Sequence, residues 1–236
     1  MGDVAICGGA DACVTPGVIA AFSRMGVVST KYNDNPKLAP RPFDKDRDGF
    51  VIGEGAWIFV AEELSNALKR KANIYGKIAG YGATCDAYHP STPLASGYYT
   101  AEAIKYAIID AGLRVEDIDY IAAYGNATRI NDPYETKVIK NVFGKHAYKL
   151  QISSIKSMIG HPIGASGAAQ VASSLVALRN NFLPPTVNLD HPDEECDLDY
   201  VSNKARMTKV DNILCNTLSF GGKNSSLVIS RVENES

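Results

Sequence analysis

The stretch from 150 to 178 constrains the fold more than any other. A short apolar strand, residues 150–152, runs into Ser153-Ser154-Ile155-Lys156-Ser157-Met158-Ile159-Gly160-His161-Pro162, and a helix of small and apolar residues is predicted over 165–178. Pro162 suits a first helical turn, where a missing N–H costs nothing. Gly164, Ala165, Ser166, Gly167 and Ala168 carry little side-chain volume, so another backbone is expected to approach closely. His161 falls where the orphan N–H groups and the positive end of that helix converge. That setting favours a neutral imidazole able to exchange one hydrogen bond with an acyl oxygen. The plainer alternative is a core histidine beside a glycine-rich contact.

Around this stretch, strands and helices alternate. Residues 3–10 predict a buried strand entering a glycine turn, and Thr15 is placed to cap a helix running to Phe22. Residues 43–62 predict two strands joined by a glycine turn, and 63–71 a polar helix with basic residues at its end. A new unit then opens at Lys77: a strand, an amphipathic helix over 98–111 stopped by Gly112, a buried strand over 118–123, a helix over 132–143, and the 150–178 stretch. Two closing strands, 210–218 and 225–232, flank Gly221-Gly222. The pattern is α/β with a closing antiparallel pair.

Several function classes are excluded. A net charge of -2 provides no basic field for nucleic acid. No apolar run reaches the ~18 residues of a membrane span. Met1-Gly2-Asp3 starts no secretory leader, which predicts a cytoplasmic protein. Five scattered cysteines and four scattered histidines suit reduced thiols and no metal site. Asp44, Asp46, Asp48 and Gly49 mimic a calcium loop, but Gly55 stands at the closing ligand position and Lys45 and Arg47 interrupt the acids.

The pattern Lys156-Ser157-x-x-Gly160-His161-x-x-Gly164-Ala165-x-Gly167 resembles the lysine–histidine signature of the beta-ketoacyl-acyl carrier protein synthases, the elongating condensing enzymes of fatty-acid and polyketide synthesis. Arg41-Pro42-Phe43-Asp44, with Arg47-Asp48-Gly49-Phe50-Val51 and Gly53-Glu54-Gly55-Ala56, is similar to another segment of that family. The resemblance runs along nearly the whole chain. It implies a thiolase-like α/β fold, with one complete C-terminal βαβαβαββ half over 77–236 and the tail of the N-terminal half over 1–76.

The resemblance also assigns roles. Lys156, His161 and the acids Asp132 and Glu135 match family positions, Glu135 being expected to bond and orient Lys156. Phe220 is the implied gating aromatic. Ser91, in Asp86-Ala87-Tyr88-His89-Pro90-Ser91, would touch a pantetheine arm, while His89 reads as a surface-loop residue. Two departures stand out. Tyr124-Gly125-Asn126-Ala127-Thr128 replaces the family's His-Gly-Thr-x-Thr, so Tyr124 occupies the place of the first catalytic histidine. No cysteine here matches the segment that bears the family's acylated nucleophile, without which covalent catalysis stops. Lys223, where a threonine is usual, is a smaller drift.

The 165–178 helix reads as apolar nearly all round (Ala165, Ala168, Ala169, Val171, Ala172, Leu175, Val176, Leu178), hence buried, and a half-fold would leave it uncovered. A homodimer is the expected remedy. The functional expectation is an N-terminally truncated, non-condensing relative of the synthases that binds acyl groups and acyl carrier protein or acts as a scaffold. The alternative is the C-terminal half of an active synthase completed by a separate chain carrying the cysteine. No cofactor is expected beyond the carrier's phosphopantetheine, which arrives as a substrate arm.

Overall fold

Tyr120, Ile121 and Ala122 are all buried, and the molecule is layered around them. The computed structural model describes residues 3–232; the Met1-Gly2 start, on which the leader expectation rests, lies outside them. In chain order the elements are β1 (Val4–Asp11), α1 (Pro16–Arg24), β2 (Gly55–Glu62), α2 (Leu64–Lys69), β3 (Lys77–Cys85), α3 (Tyr98–Asp110), β4 (Tyr120–Ala122), α4 (Asn131–Phe143), β5 (Gln151–Ser153), α5 (Lys156–Ile159), α6 (Ser166–Asn180), β6 (Phe182–Leu183), β7 (Arg206–Met207), β8 (Asn212–Ser219) and β9 (Lys223–Ser230).

Five strands form one sheet in the order β3-β9-β8-β4-β5. β4 is parallel to β5 and to β8, while β9 is antiparallel to β8 and β3. Alternation along β4 divides the core. Ile121 joins Ile104, Ile108, Val138 and Ile139 under α3 and α4, whereas Tyr120 and Ala122 join Ala177 and Leu178 under α6. A strand covered on both faces reads as continuously apolar, which is why 118–123 was legible. The arrangement is the thiolase-like α/β class.

β1 and β2 form a separate antiparallel ribbon. One side rests on the turn before α6, where Gly9 allows close approach: a Cβ there would lie 3.3 Å from Ala165 Cα and Ala168 Cβ, tighter than ordinary contact. The other side is open. Val4, Ile6, Ile58 and Val60 are 56–79% exposed, so the predicted buried strand over 3–10 is an exposed one, covered on one side only.

Three local expectations change. Residues 43–53 form no strand, and only β2 of the predicted pair exists. Side chains replace the ladder there. Buried Asp44 takes the N–H groups of Asp46, Asp190 and His191 along with Arg41 Nε, and Arg47 reaches Thr128 O and Asp193. These bonds occupy Asp44, the first of the acids that mimic a calcium loop; Asp48 instead accepts from Ser29, Thr30 and Lys31, and His191, distant in sequence, stands beside Asp44 and Asp46. The helix after His161 starts at Ser166, because residues 163–165 wind as a tighter 3-10 turn behind Pro162. Its burial is one-sided too: Gln170 and Ser174 are buried, while Val176 is 44% exposed. Thr15 occupies the cap position of α1 without a side-chain hydrogen bond.

Candidate active site

The site begins where β4 ends. Ala123 donates its N–H to Ser153 O on β5, and the chain then turns through Tyr124 and Gly125. Glu135, one turn into α4 and fully buried, bridges that turn: Oε1 accepts the Tyr124 N–H and Oε2 the Gly125 N–H, each at 2.8 Å. Asn216 Nδ2 on β8 donates to the same carboxylate at 2.8 Å. From the opposite side, Gln170 Nε2 on α6 donates to the carbonyls of Ala122, Ala123 and Asn216. Gly125 has φ +29°, and a Cβ on it would stand 2.7 Å from Ser154 Cβ, so the turn admits no side chain.

Lys156 opens α5 and is buried. Its ammonium donates to Tyr124 O at 2.5 Å and lies 4.6 Å from the Tyr124 ring centroid. The expected bond between Glu135 and Lys156 is therefore absent. Each holds the same residue instead, the carboxylate through its N–H and the lysine through its carbonyl. Burial lowers the lysine's pKa to about 8 against the pull of Glu135 and Asp132. Burial likewise raises Glu135, and it pushes Asp132 up to about 7 against the nearby Arg47. Asp132 serves the turn from below, accepting Phe43 N–H at 2.8 Å and Ala127 N–H at 3.2 Å.

His161 is fastened by its backbone. Its N–H donates to Val51 O at 2.7 Å and its carbonyl accepts Gly53 N–H at 2.9 Å, so the segment after the Asp44 cluster holds the histidine loop. Phe50 packs edge-on against the imidazole at 5.0 Å. Nε2 faces Tyr124 Oη at 3.1 Å and Nδ1 faces Ser166 Oγ at 2.9 Å. Burial, then the charge of Lys156, holds the imidazole pKa well below 6.5, so the ring is neutral. Neutrality was expected from the helix end; the structure assigns it to desolvation and the neighbouring lysine.

Tyr124 and His161 line a pocket of about 610 Å³. Ser91 and Phe220 line it as well, which brings four of the six predicted site residues to one cavity. Phe220 is 43% exposed and stacks on Phe22 at 6.2 Å. Lys156 and Glu135 sit behind the Tyr124 turn. His89 is exposed, its Nδ1 accepting the N–H groups of Ser91 and Thr92, as a surface-loop residue would. None of the five free thiols is among the residues lining the pocket; Cys215 lies on β8 and bonds Ser174. Asn216, Gln170 and Ser166 were not singled out from sequence. The available signal was polarity out of place: an asparagine within an apolar strand and a glutamine within an apolar helix.

Comparison with known proteins places this geometry. Residues 1–67 match the model of the beta-ketoacyl synthase N-terminal domain and residues 75–190 that of the C-terminal domain. A 3-oxoacyl-[acyl-carrier-protein] synthase 2 of Coxiella burnetii is 49% identical over 98% of this chain and 55% of its own length. The tetracenomycin polyketide synthase ketoacyl synthase alpha subunit of Streptomyces glaucescens is 44% identical over 97% and 54%. Among solved structures, a type II polyketide synthase acyl-carrier protein in complex with its ketosynthase bound to the hexaketide superposes with a TM-score of 0.95 at 34% identity, over 98% of this chain and 56% of that one. A ketosynthase in complex with its chain length factor from Xenorhabdus doucetiae gives 0.82 at 28%, over 98% and 53%. The chain thus spans about half the length of the relatives it matches. With both domain models matched in order along one chain, and the lysine–histidine loop facing a pocket, the chain belongs to the beta-ketoacyl synthase family.

Proposed function

We propose that this chain binds the acyl thioester of a carrier-borne pantetheine arm in fatty-acid or polyketide synthesis, and that alone it makes no carbon–carbon bond. The observation that carries the reading is the Tyr124 Oη–His161 Nε2 pair, 3.1 Å apart at the wall of a pocket whose lining also includes Ser91 and Phe220. A neutral imidazole beside a phenol offers hydrogen bonds to a thioester oxygen. Lys156 and Glu135 position that pair through the Tyr124 backbone. The residues that line the pocket provide no thiol to accept an acyl group, so Claisen condensation has no covalent carrier in this chain.

The proposed partners are an acyl carrier protein and a second polypeptide surface over the ribbon formed by β1 and β2. Four large apolar side chains stand open there, and closed twofold pairing is the commonest way to cover such a face. We assign the protein to the cytoplasm because its chemistry draws on reduced thiol carriers; among the described residues no helix is long and apolar enough to cross a membrane.

Incubation with malonyl-carrier protein and an acyl primer tests the reading. Acyl-carrier protein should bind without turnover. Formation of 3-ketoacyl product by this chain alone would overturn the non-condensing assignment, and failure to bind any acyl thioester would overturn the binding assignment. Light scattering should show a dimer at micromolar concentration, and a folded monomer there would defeat the pairing.

A further inference from the structure

His161 has a hydroxyl against each ring nitrogen, Ser166 Oγ at Nδ1 and Tyr124 Oη at Nε2. A neutral imidazole carries one proton, so two arrangements are open. In the first, Tyr124 donates to Nε2 and Nδ1–H donates to Ser166, whose own O–H then has no acceptor. Ser166 is 3% exposed, and His161 Nδ1 is the one partner its hydroxyl has among the described residues. In the second, Ser166 donates to Nδ1, Nε2–H donates to Tyr124 Oη, and the phenolic proton remains for the pocket that Tyr124 lines. Leaving a buried hydroxyl proton unbonded costs about 1–3 kcal/mol, which favours the second arrangement. The phenol also stays protonated, because burial raises its pKa.

We infer that Ser166 and His161 form a one-way hydrogen-bond relay that turns the Tyr124 hydroxyl toward the pocket, making Tyr124, and not the histidine, the donor to an acyl oxygen. Tyr124 is then the ligand-touching residue, and His161 and Ser166 are positioning residues acting through it. The two positions belong together, since a histidine fixed as donor at Nε2 requires a partner there that accepts with its oxygen while keeping a proton to give. Tyrosine meets both conditions. The ligand half of this inference rests on the proposed acyl binding; the proton arrangement does not.

Nitrogen-15 NMR of the histidine-labelled full chain tests the relay without ligand, the His161 signal being assigned by its loss in His161→Gln. The wild type should show the Nε2–H tautomer. Ser166→Ala should shift the population toward Nδ1–H, and Ser166→Thr should restore it. An Nδ1–H wild type, or a Ser166→Ala spectrum with an unchanged tautomer, overturns the relay. In a titration with a short acyl-pantetheine thioester, Tyr124→Phe should weaken binding about tenfold, the worth of one hydrogen bond. Ser166→Ala should weaken it less, with Ser166→Thr recovering the loss. Undiminished affinity in Tyr124→Phe refutes the donor role. If the wild type binds no such thioester, the proposed function fails and the tautomer result alone decides the relay.

Discussion

The five-stranded sheet and the β1–β2 ribbon obey the same strand chemistry with opposite outcomes. Ile121, at the middle of the sheet, is fully buried between helices; Ile58, in an equally apolar strand, is 62% exposed. β-branched residues favour both strands, but propensity says nothing about what lies on either face. The sheet is covered by α3 and α4 on one side and α6 on the other, whereas the ribbon has α6 and its leading turn on one side only. Apolarity in a strand therefore reports a demand for cover, and the fold around it decides whether the demand is met within the chain.

Four experiments can break or sharpen that contrast. The largest effect is expected at Glu135, the buried anion at the end of the covered sheet. Glu135→Leu strips two backbone N–H groups and Asn216 of their acceptor and removes the stronger of the two carboxylate charges that act on buried Lys156. That change should cost about 3–5 kcal/mol by urea unfolding. A loss under about 1 kcal/mol would mean the turn after β4 is held by its other partners, Gln170, Lys156 and Asp132, without need of Glu135. Next, Ile121→Ala should cost about 2–5 kcal/mol, as a cavity between two closed layers does.

Third comes the pH dependence of Lys156. Its amine releases a proton near pH 8 in the folded protein but near 10.5 when unfolded, so between these values the unfolded chain holds more protons at this site and the Lys156 contribution to stability rises with pH. The slope approaches ~1.4 kcal/mol per pH unit within the window, and Lys156→Met should abolish it. An identical pH profile in the variant would refute the assignment. The smallest effect is expected on the ribbon: Ile58→Ala should move stability by less than about 0.5 kcal/mol in a dilute monomer. The same substitution measured at a concentration that sustains a dimer should cost clearly more. Equal values at both concentrations would remove this face from any dimer interface.

Legibility followed the same division. β4, α4 and the loop carrying Lys156 and His161 were readable because their signals are local: an apolar run, a helix stop, a lysine and histidine five residues apart. The segment over 43–53 was misread because its order comes from Asp44, Arg47 and their partners nearly 150 positions away, which no local pattern records. Glu135 was found but given the wrong partner. The family resemblance paired it with Lys156, yet whether a carboxylate meets an ammonium or two backbone N–H groups depends on a turn geometry set by Gly125 and Gln170. Ser166 was seen only as a small residue, and its hydroxyl acquires meaning from the 3-10 turn that swings it under the imidazole.

The two backbone bonds that seat His161 on Val51 and Gly53 make the reactive loop a tenant of a different part of the chain. A drift of half an ångström in the 43–53 segment would be inherited by the imidazole with no spring in between, and through it by the Tyr124 hydroxyl. Substitutions at Arg47 or Asp44, neither of which lines the pocket, should therefore alter binding in the pocket as well as cost stability.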